Sequence, residues 1–457
     1  MQQKITLPAA FVQRMQALLG ADAPQFFEAM QAEPQRALRI NRIKIQPEQL
    51  DAVVPFETCP ISFDTCGRYF SFDGIGNTPL HHAGAFYVQE PAAMAAAAAI
   101  DPKPNWKILD LCAAPGGKTA RAASFLNENG ILIANEIIPS RMKILTSNVE
   151  RLGFRNVITT CCTPQQICSQ YPNTFDLVIA DVPCSGEGML RKSREAAEQW
   201  SEENIIMCAS RAAEILDHAA TAVSAGGYLL FSTCTFAVEE NEQQVASFLQ
   251  THPEFSLVPV NEDVQASTVP GIAINGCDAD LSLTRRFYPH VSRGEGQYVA
   301  LLHRDSNAAQ SLQRTDRKQS ALLTAVEQKQ VLDALDGLVD VDLFKKMRRY
   351  KDAAILPPAA LPLPIGAFCC GVTVGTFQKN YFLPHHQLFS AYGNNMTRKL
   401  DLSADDPRLS AYLRGETFAC ELPDGWCAVL VQGAALGGAK IVKGQLKNHY
   451  PKGLRIF

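Results

Sequence analysis

The stretch KILDLCAAPGGKTARAASFLNENGILIANE (residues 107–136) decides the fold of this chain. Its first apolar run, KILDLC, is typical of a buried strand, and the adjacent Gly116 and Gly117 follow in a loop. A helix-forming run then ends at Asn129-Gly130, a frequent helix stop, before a second apolar strand. A strand, a glycine loop, a helix and a second strand in this order predict one unit of a parallel α/β sheet.

The same alternation continues on the carboxyl-terminal side of this unit. PSRMKILTSNVERLG is predicted to be a helix because proline stands near its start and glycine at its end. Ser201 is predicted to cap a further helix, with Trp200 and Ile205 at the two positions of a hydrophobic staple. NVITTCC, FDLVIAD, YLLFSTCT and QYVALLHR are predicted strands. The rhythm predicts a doubly wound, mostly parallel sheet that binds its ligand in the loops after Leu111, Glu136, Asp181 and Cys234.

A chain of 457 residues is long enough for more than one domain. Residues 1–100 are predicted to form a mainly helical extension, in which ALRINRIKI is the one strand-like run. The sheet domain follows over residues 101–305, and the polar residues 306–320 are a predicted linker. Residues 321–457 carry short apolar runs, many Gly and Pro, and a tail with five basic residues and no acid.

Composition excludes several classes of protein. A net charge of -4 gives no overall nucleic-acid signature, so any such surface must be local. The fourteen cysteines show no C-x-x-C spacing, so we predict no metal site and expect reduced thiols in a cytoplasmic protein. AAMAAAAAI is too short to span a bilayer, and no signal-peptide pattern is present, so no membrane partner is expected. A monomer is our expectation.

The glycine loop LDLCAAPGGKT fits two nucleotide-binding motifs poorly. Gly117-Lys118-Thr119 matches the end of a P-loop, but Cys112 stands where the first glycine belongs. Pro115 also removes an N–H from a loop that would bind phosphate through N–H groups. The G-x-G-x-x-G fingerprint of a dinucleotide site is missing as well.

S-adenosylmethionine makes different demands on such a loop, because it carries no phosphate. It needs a tight turn where the backbone can approach the methionine part, and Gly116 and Gly117 permit this. It also needs an acid at the end of the second strand for the ribose hydroxyls, where Glu136 stands. The combination favours this cofactor over the alternative, an ordinary strand-to-helix turn with an exposed glutamate.

Two cysteines, Cys184 and Cys234, follow strands that should flank the cofactor. Methyl transfer to C5 of a pyrimidine needs a thiolate, whose addition to C6 turns C5 into an enamine-like carbon. Methylation of an exocyclic amine needs no thiol and typically has an aromatic residue after the proline of this turn, where Cys184 stands. A cysteine at a strand end is most often buried packing, and position alone does not tell which of the two would attack.

Three motifs, LDLCAAPGGKT, ADVPCSGEGML and FSTCTF, resemble in order and spacing the Nop/Sun family of RNA cytosine-5 methyltransferases. HHAGAFYVQEPAAM and RRFYPHVSRGEGQYVALL resemble two further regions of that family. The tail KIVKGQLKNHYPKGLR is similar to the RNA-binding part of its RsmF-type bacterial members, which modify 16S ribosomal RNA. The resemblance implies a Rossmann-like S-adenosylmethionine-dependent domain followed by an α+β, PUA-like RNA-binding module.

The resemblance also implies roles. Asp181 would lie near the methyl group and the target base, in contact with Lys118. Cys234 would be the nucleophile, and Cys184 would assist release of the methylated RNA. Glu136 would bind the ribose. The remaining cofactor site would be lined by Cys112, Ala113, Ala114, Pro115, Gly116, Gly117 and Lys118. The family often has an acid or amide after the third strand, but here the sequence is TTCCTPQQ, so Thr163 or a neighbour would serve the adenine.

RNA would reach the site as an unpaired or flipped nucleotide, with further affinity from phosphate contacts. Four basic stretches are candidates, at residues 39–44, 191–194, 345–351 and 440–455. The last is favoured because His449 and Tyr450 interleave with its charges, whereas 345–351 fits a solvated helix face. The leading hypothesis is methylation of 16S ribosomal RNA, hence a partner in the small ribosomal subunit. Alternatives are the same chemistry on transfer RNA, a ribosome-assembly factor with secondary methyltransferase activity, and the disfavoured P-loop NTPase.

Overall fold

The computed structural model describes residues 6–307, 320–335, 337–358 and 361–456. Most of the predicted linker, residues 308–319, lies outside the described residues.

The amino-terminal region combines helices with a small antiparallel sheet of order β2-β3-β1-β4. The sequence predicted a mainly helical region, and only the run ALRI, which is β1, was expected as a strand. The other three strands were missed because they lack clean alternation of buried and exposed residues. The elements are α1 (Ala9–Leu19), α2 (Ala23–Gln31), β1 (Ala37–Ile40), α3 (Pro47–Val53), β2 (Thr58–Ile61), β3 (Asp64–Phe70), α4 (Pro79–His82), β4 (Phe86–Val88) and α5 (Pro91–Ala97).

The large sheet has the predicted doubly wound topology. Its strands run in the order β11-β12-β13-β9-β8-β5-β6-β7-β17, and β10 pairs with β13. The five strands β9, β8, β5, β6 and β7 are mutually parallel, and β13 is antiparallel to β9. Nine of the ten strands of this sheet are β5 (Lys107–Asp110), β6 (Ile131–Asn135), β7 (Val157–Thr160), β8 (Phe175–Asp181), β9 (Val223–Thr233), β10 (Phe255–Val258), β11 (Val269–Pro270), β12 (Arg285–Phe287) and β13 (Gln297–Arg304). The tenth is β17 (Ala367–Cys370).

Helices cover both faces of this sheet. They are α6 (Gly117–Phe125), α7 (Pro139–Leu152), α8 (Pro164–Cys168), α9 (Arg194–Gln199), α10 (Glu202–Ala222), α11 (Glu242–Thr251) and α12 (Glu262–Ala266). Successive residues of one strand enter different cores: Leu109 packs in one hydrophobic cluster and Ile108 in the other. As predicted, Ser201 caps α10 by accepting a hydrogen bond from the N–H of Asn204, and Trp200 and Ile205 are buried together.

The carboxyl-terminal region contributes to three sheets. The first of these sheets consists of β14 (Ala321–Leu322), β15 (Arg348–Tyr350), β16 (Ala353–Leu356), β18 (Val372–Phe377) and β19 (Phe382–Pro384). The helices of the same part of the chain are α13 (Ala325–Leu335), α14 (Val341–Lys346) and α15 (His386–Tyr392). Strands β20 (Lys399–Leu402), β21 (Phe418–Ala419), β22 (Gly425–Val431), β23 (Ala434–Val442) and β24 (Gln445–Asn448), with α16 (Pro407–Arg414), form the last. Strand β17 (Ala367–Cys370) instead pairs with β7 and extends the large sheet. The predicted domain boundaries themselves stay a prediction.

Candidate active site at the carboxyl edge of the large sheet

Five loops meet where the parallel strands β5, β6, β7, β8 and β9 end. Parallel strands place their carboxyl ends at one edge, so residues far apart in sequence become neighbours there. The loops after β5, β6 and β7 form one half of this edge, which we call the cofactor half. The loops after β8 and β9 form the other, which we call the thiol half.

The glycine loop after β5 turns sharply into α6. Gly116 has a φ of +116°, in the region that favours glycine, and it directly precedes the helix. A Cβ on Gly117 would lie 2.6 Å from the side-chain nitrogen of Gln89, which approaches from the end of β4. Gly116 is therefore favoured by the backbone conformation of this turn and Gly117 by its close packing.

The other residues of the loop are held through their carbonyl groups. The carbonyl oxygens of Ala114 and Pro115 accept hydrogen bonds from Arg141 and Asn148, which both lie on α7. Ala113 is buried and donates its N–H to the carbonyl of Asn135. Because the N–H of Ala113 is engaged and Pro115 has none, the loop offers little to a phosphate, which weakens the P-loop alternative further.

Two buried carboxylates of the cofactor half keep an unused oxygen. Glu136 is only 2% exposed; its Oε1 accepts from the N–H of Ile138, while its Oε2 makes no hydrogen bond and lies 3.4 Å from Arg141. Asp110 accepts from Thr119 through Oδ2, and its Oδ1 is without a partner. Burial raises the pKa of Asp110 to about 7. A buried, unsatisfied oxygen at Glu136 fits a missing hydroxyl donor, so these residues suit the ribose of S-adenosylmethionine.

Asp181, the last residue of β8, joins the two halves. Its Oδ2 lies 2.8 Å from Nζ of Lys118 on α6, so the contact implied by the family resemblance is present. Its Oδ1 accepts a 2.7 Å hydrogen bond from the hydroxyl of Ser232 on β9. Lys118 is buried, whereas 34% of the Asp181 side chain remains exposed.

Cys184 and Cys234 lie in direct contact in the thiol half. Their Sγ atoms are 3.3 Å apart, and both thiols are free. The backbone N–H of Cys234 also donates to Sγ of Cys184 at 3.3 Å. The hydrogen bond with the Cys234 thiol, followed by burial, raises the pKa of Cys184 well above its usual value. Cys184 is therefore held as a protonated thiol beside Cys234.

Two glutamates that the sequence did not single out support these cysteines. Glu187 and Glu240 are buried and hydrogen-bonded to residues of the neighbouring loop. Burial raises the pKa of both carboxyls, that of Glu240 to about 7. The acidic run VEENE directly after a predicted strand-end cysteine was the available signal for Glu240.

Cys112 and Thr163 lie in the loops after β5 and β7 of the cofactor half. Burial raises the pKa of the half-buried Cys112 thiol, so it is not a thiolate and serves as part of the loop wall. The Thr163 hydroxyl accepts from the N–H of Gln166 and thereby caps α8. The chain before β17 lies against the same loop, since Gly366 accepts a hydrogen bond from the N–H of Cys161.

Several residues in the basic stretches are structural. Arg39 forms a buried ion pair with Asp64, Lys44 donates to the carbonyls of Ser390 and Ala435, and Arg191 pairs with buried Glu295.

Tyr450 is 2% exposed and bonds His82, so its expected place on an RNA-facing surface was wrong. Its side chain follows Leu446 into the core because alternate residues of an extended segment share one side. The exposed cations of the tail are Lys440, Lys443, Lys447 and Lys452.

Two further features are absent from the described residues. No group of three or more His, Cys, Asp or Glu side chains is placed to hold a metal ion. In the same part of the chain, no helix combines the length and apolar character needed to cross a membrane.

Comparison with known proteins gives matches along most of the chain. Residues 97–303 match a family described as 16S rRNA methyltransferase RsmB/F. Residues 7–91 match the N-terminal domain of 16S rRNA methyltransferase RsmF, and residues 399–456 match the methyltransferase RsmF PUA domain.

Individual relatives agree with these families. The chain is 28% identical to the ribosomal RNA small subunit methyltransferase F of Vibrio parahaemolyticus, over 99% of this chain and 98% of that protein. It is 29% identical to the protein of that name from Erwinia tasmaniensis, over 99% and 97%. Among solved structures, a methyltransferase homolog protein from Pyrococcus horikoshii superimposes with a TM-score of 0.57 at 26% identity, over 66% of this chain and 96% of that one.

Proposed function

Since the chain belongs to the RsmB/F family of S-adenosylmethionine-dependent 16S ribosomal RNA methyltransferases, with RsmF-type N-terminal and PUA domains, we propose that it methylates C5 of a cytosine in 16S ribosomal RNA. Cys234 is the proposed nucleophile and Cys184 the group that assists release. The observation that carries the proposal is the pair of thiols in contact beside the Lys118–Asp181 ion pair, at the junction with the cofactor half. Methyl transfer to nitrogen would need neither thiol.

The cofactor half supplies the binding groups. Oε2 of Glu136 is free to accept a hydrogen bond from a ribose hydroxyl, and the turn at Gly116 and Gly117 leaves room for the methionine part. The wall of the site runs from Cys112 to Lys118. For the adenine, Thr163 remains our proposal, although its hydroxyl already serves as a helix cap.

Covalent catalysis begins with attack by Cys234. Its thiolate forms a bond to C6, and the electron pair of the C5–C6 double bond moves to C5. S-adenosylmethionine, when bound, supplies the methyl group that C5 then takes. To finish, a base takes the C5 proton, and the electron pair of that C–H bond restores the C5–C6 double bond as the bond from C6 to Cys234 breaks and Cys234 leaves as a thiolate.

The assignment of the two roles is supported by their surroundings. The pKa of Cys184 is raised by its hydrogen bond with the Cys234 thiol and by burial, so Cys184 is the poorer source of a thiolate. It lies close enough to Cys234 to exchange a proton with it as the product leaves. Asp181 keeps an exposed face with which to hold the amino edge of the base.

Replacing each cysteine separately tests the mechanism. Cys184→Ala is expected to leave a covalent protein–RNA adduct that survives a denaturing gel, because attack proceeds while release is slowed. Cys234→Ala is expected to form no adduct and no 5-methylcytosine, while calorimetry shows S-adenosylmethionine still bound. Cys208→Ala, a buried thiol on α10, is the matched control. An adduct with Cys234→Ala instead would exchange the two roles.

The RNA partner is tested separately. The exposed lysines Lys440, Lys443 and Lys447 of β23, β24 and their turn are the proposed phosphate contacts of the PUA domain. Their joint replacement by alanine is expected to weaken binding of 16S RNA and to lower its salt dependence, at unchanged cofactor affinity. Bisulfite sequencing of ribosomal and transfer RNA with and without the gene decides between the two RNA classes. A chain that binds 16S RNA without modifying any RNA would be the assembly factor. A monomeric cytoplasmic enzyme is part of the proposal.

A further inference from the structure

The two loops that carry the thiols are joined by a reciprocal set of hydrogen bonds. We call residues 182–190 the Cys184 loop and residues 234–241 the Cys234 loop. Each contains one carboxylate that is at most 2% exposed, Glu187 in the first and Glu240 in the second. Each carboxylate bonds the residue that directly follows the cysteine of the other loop.

Glu240 holds the Cys184 loop. Its Oε1 accepts from the backbone N–H of Ser185 at 2.8 Å, and its Oε2 accepts from the hydroxyl of Ser185 at 2.5 Å. Ser185 is the residue next to Cys184, so both bonds act one residue away from the thiol. The Ser185 hydroxyl also lies 2.8 Å from the hydroxyl of Thr235, which follows Cys234.

Glu187 holds the Cys234 loop in the opposite direction. Its Oε2 accepts from the hydroxyl of Thr235 and from the N–H of Phe236, each at 3.0 Å, while its Oε1 accepts from the indole of Trp200. The next residue, Gly188, donates its N–H to the carbonyl of Cys234 at 2.8 Å. A Cβ on Gly188 would lie 2.9 Å from the carbonyl oxygen of Cys234, so glycine at this position permits the close approach of the two loops.

Stability alone does not account for these glutamates. Among the described residues, Glu187 and Glu240 accept these hydrogen bonds from neutral donors, and neither carboxylate forms an ion pair. Burying a carboxyl group without a cation is costly, and apolar side chains of similar volume would fill the same space with less penalty. Their value must therefore lie in the geometry that they impose.

We propose that Glu187 and Glu240 are positioning residues that set the approach of the two thiols, Glu240 by fixing Cys184 for product release and Glu187 by fixing Cys234 for attack. The inference rests on the proposed function of the two cysteines. It assigns different steps to two chemically identical side chains, because each acts on a different loop. A displacement of about 1 Å at a reacting group can cost up to roughly 100-fold in rate.

Single-turnover kinetics of adduct formation and decay test this division. Glu240→Gln and Ser185→Ala are expected to lengthen the lifetime of the covalent adduct about tenfold, with formation little changed. Glu187→Gln is expected to slow adduct formation by a similar factor without accumulation. Glu239→Gln is the matched control, because it makes the same change one residue away, in a partly exposed carboxylate that pairs with Arg14. S-adenosylhomocysteine affinity should stay unchanged in all four.

Two results would overturn the inference. One is wild-type formation and decay in Glu240→Gln; the other is an equal loss of both steps in Glu187→Gln and Glu240→Gln, together with a lower Tm, which is what a purely structural role predicts. Ser185→Ala removes only a hydroxyl, so it decides the outcome for Glu240 if Glu240→Gln does not fold. Failure of Cys184→Ala to trap an adduct would instead refute the proposed function itself.

Discussion

The cofactor half and the thiol half of the same sheet edge differ in how fully their buried carboxylates are hydrogen-bonded. Asp110 and Glu136 each leave one oxygen without a hydrogen bond. Glu187 and Glu240, equally buried, have both oxygens bonded within the protein. A buried acid is thus left unsatisfied where its remaining partner is a ligand, and fully satisfied where its task is to hold the chain.

Asp181 is shared by both halves, so its replacement should have the largest effect. Asp181→Asn removes the negative charge opposite Lys118 and replaces one of the two carboxylate acceptors by an amide donor. We expect the methylation rate to fall about 10²–10³-fold, as for loss of one preorganised polar group. Asp176→Asn, on the same strand, is the control because, within the part of the chain that the structure describes, the Asp176 side chain accepts a hydrogen bond only from the N–H of Lys107 at the far end. Equal losses in both variants would contradict a role at the junction.

Glu136→Gln is expected to weaken cofactor binding without affecting the thiol half. Loss of a charged acceptor for a ribose hydroxyl costs about 1.5–3 kcal/mol, which corresponds to a Kd for S-adenosylmethionine weaker by roughly 10–100-fold. Calorimetry measures this directly, and the exposed Glu128→Gln serves as control. The rate of adduct formation at saturating cofactor should be preserved. An unchanged Kd would remove Glu136 from the ribose site.

Asp110→Asn tests whether the buried carboxyl group of Asp110 makes the stability of the fold depend on pH. Burial raises the pKa of Asp110 to about 7 from about 3.9 in an unfolded chain. Its contribution to stability is therefore complete below about pH 4 and declines as the pH rises through about 7. The Tm of the wild type should accordingly fall relative to that of Asp110→Asn between about pH 4 and pH 7, as the pH rises from the unfolded to the folded pKa. A constant difference across this range would show that Asp110 does not titrate there.

Thr163→Ala should have the smallest effect, and it tests whether Thr163 takes part in binding the cofactor. Loss of the cap of α8 is expected to cost about 1 kcal/mol of unfolding free energy. If the hydroxyl serves only the helix, the Kd for S-adenosylmethionine stays within about twofold of the wild type, a difference of less than about 0.5 kcal/mol. A tenfold weaker Kd would make Thr163 the adenine contact and confirm the original proposal for this residue.

The sequence predicted the parallel strands of the large sheet because each is a continuous apolar run, buried on both faces. It also located Cys184 and Cys234, since strand ends place residues at one edge. It could not predict Glu187 and Glu240 as partners of Thr235 and Ser185, because no local period links residues about fifty positions apart.

Strand β17 was missed for the same reason, since its partner β7 lies far upstream and AFCC has no distinctive pattern. The RNA-facing role expected of Tyr450 was wrong because its basic neighbours were weighted above its own burial, two residues beyond the end of β24.

The pairing of β17 with β7 sets an order of events during synthesis. Strand β7 leaves the ribosome roughly 200 residues before its partner, which at 5–20 residues per second is about 10–40 s. Throughout that interval the large sheet ends in an open edge, which invites pairing with other chains. Residues 159 and 160 are fully covered only once residues 367–370 arrive. The large sheet therefore cannot be completed before residues 367–370 are synthesised, and a nascent chain keeps an unpaired edge at β7 throughout that interval.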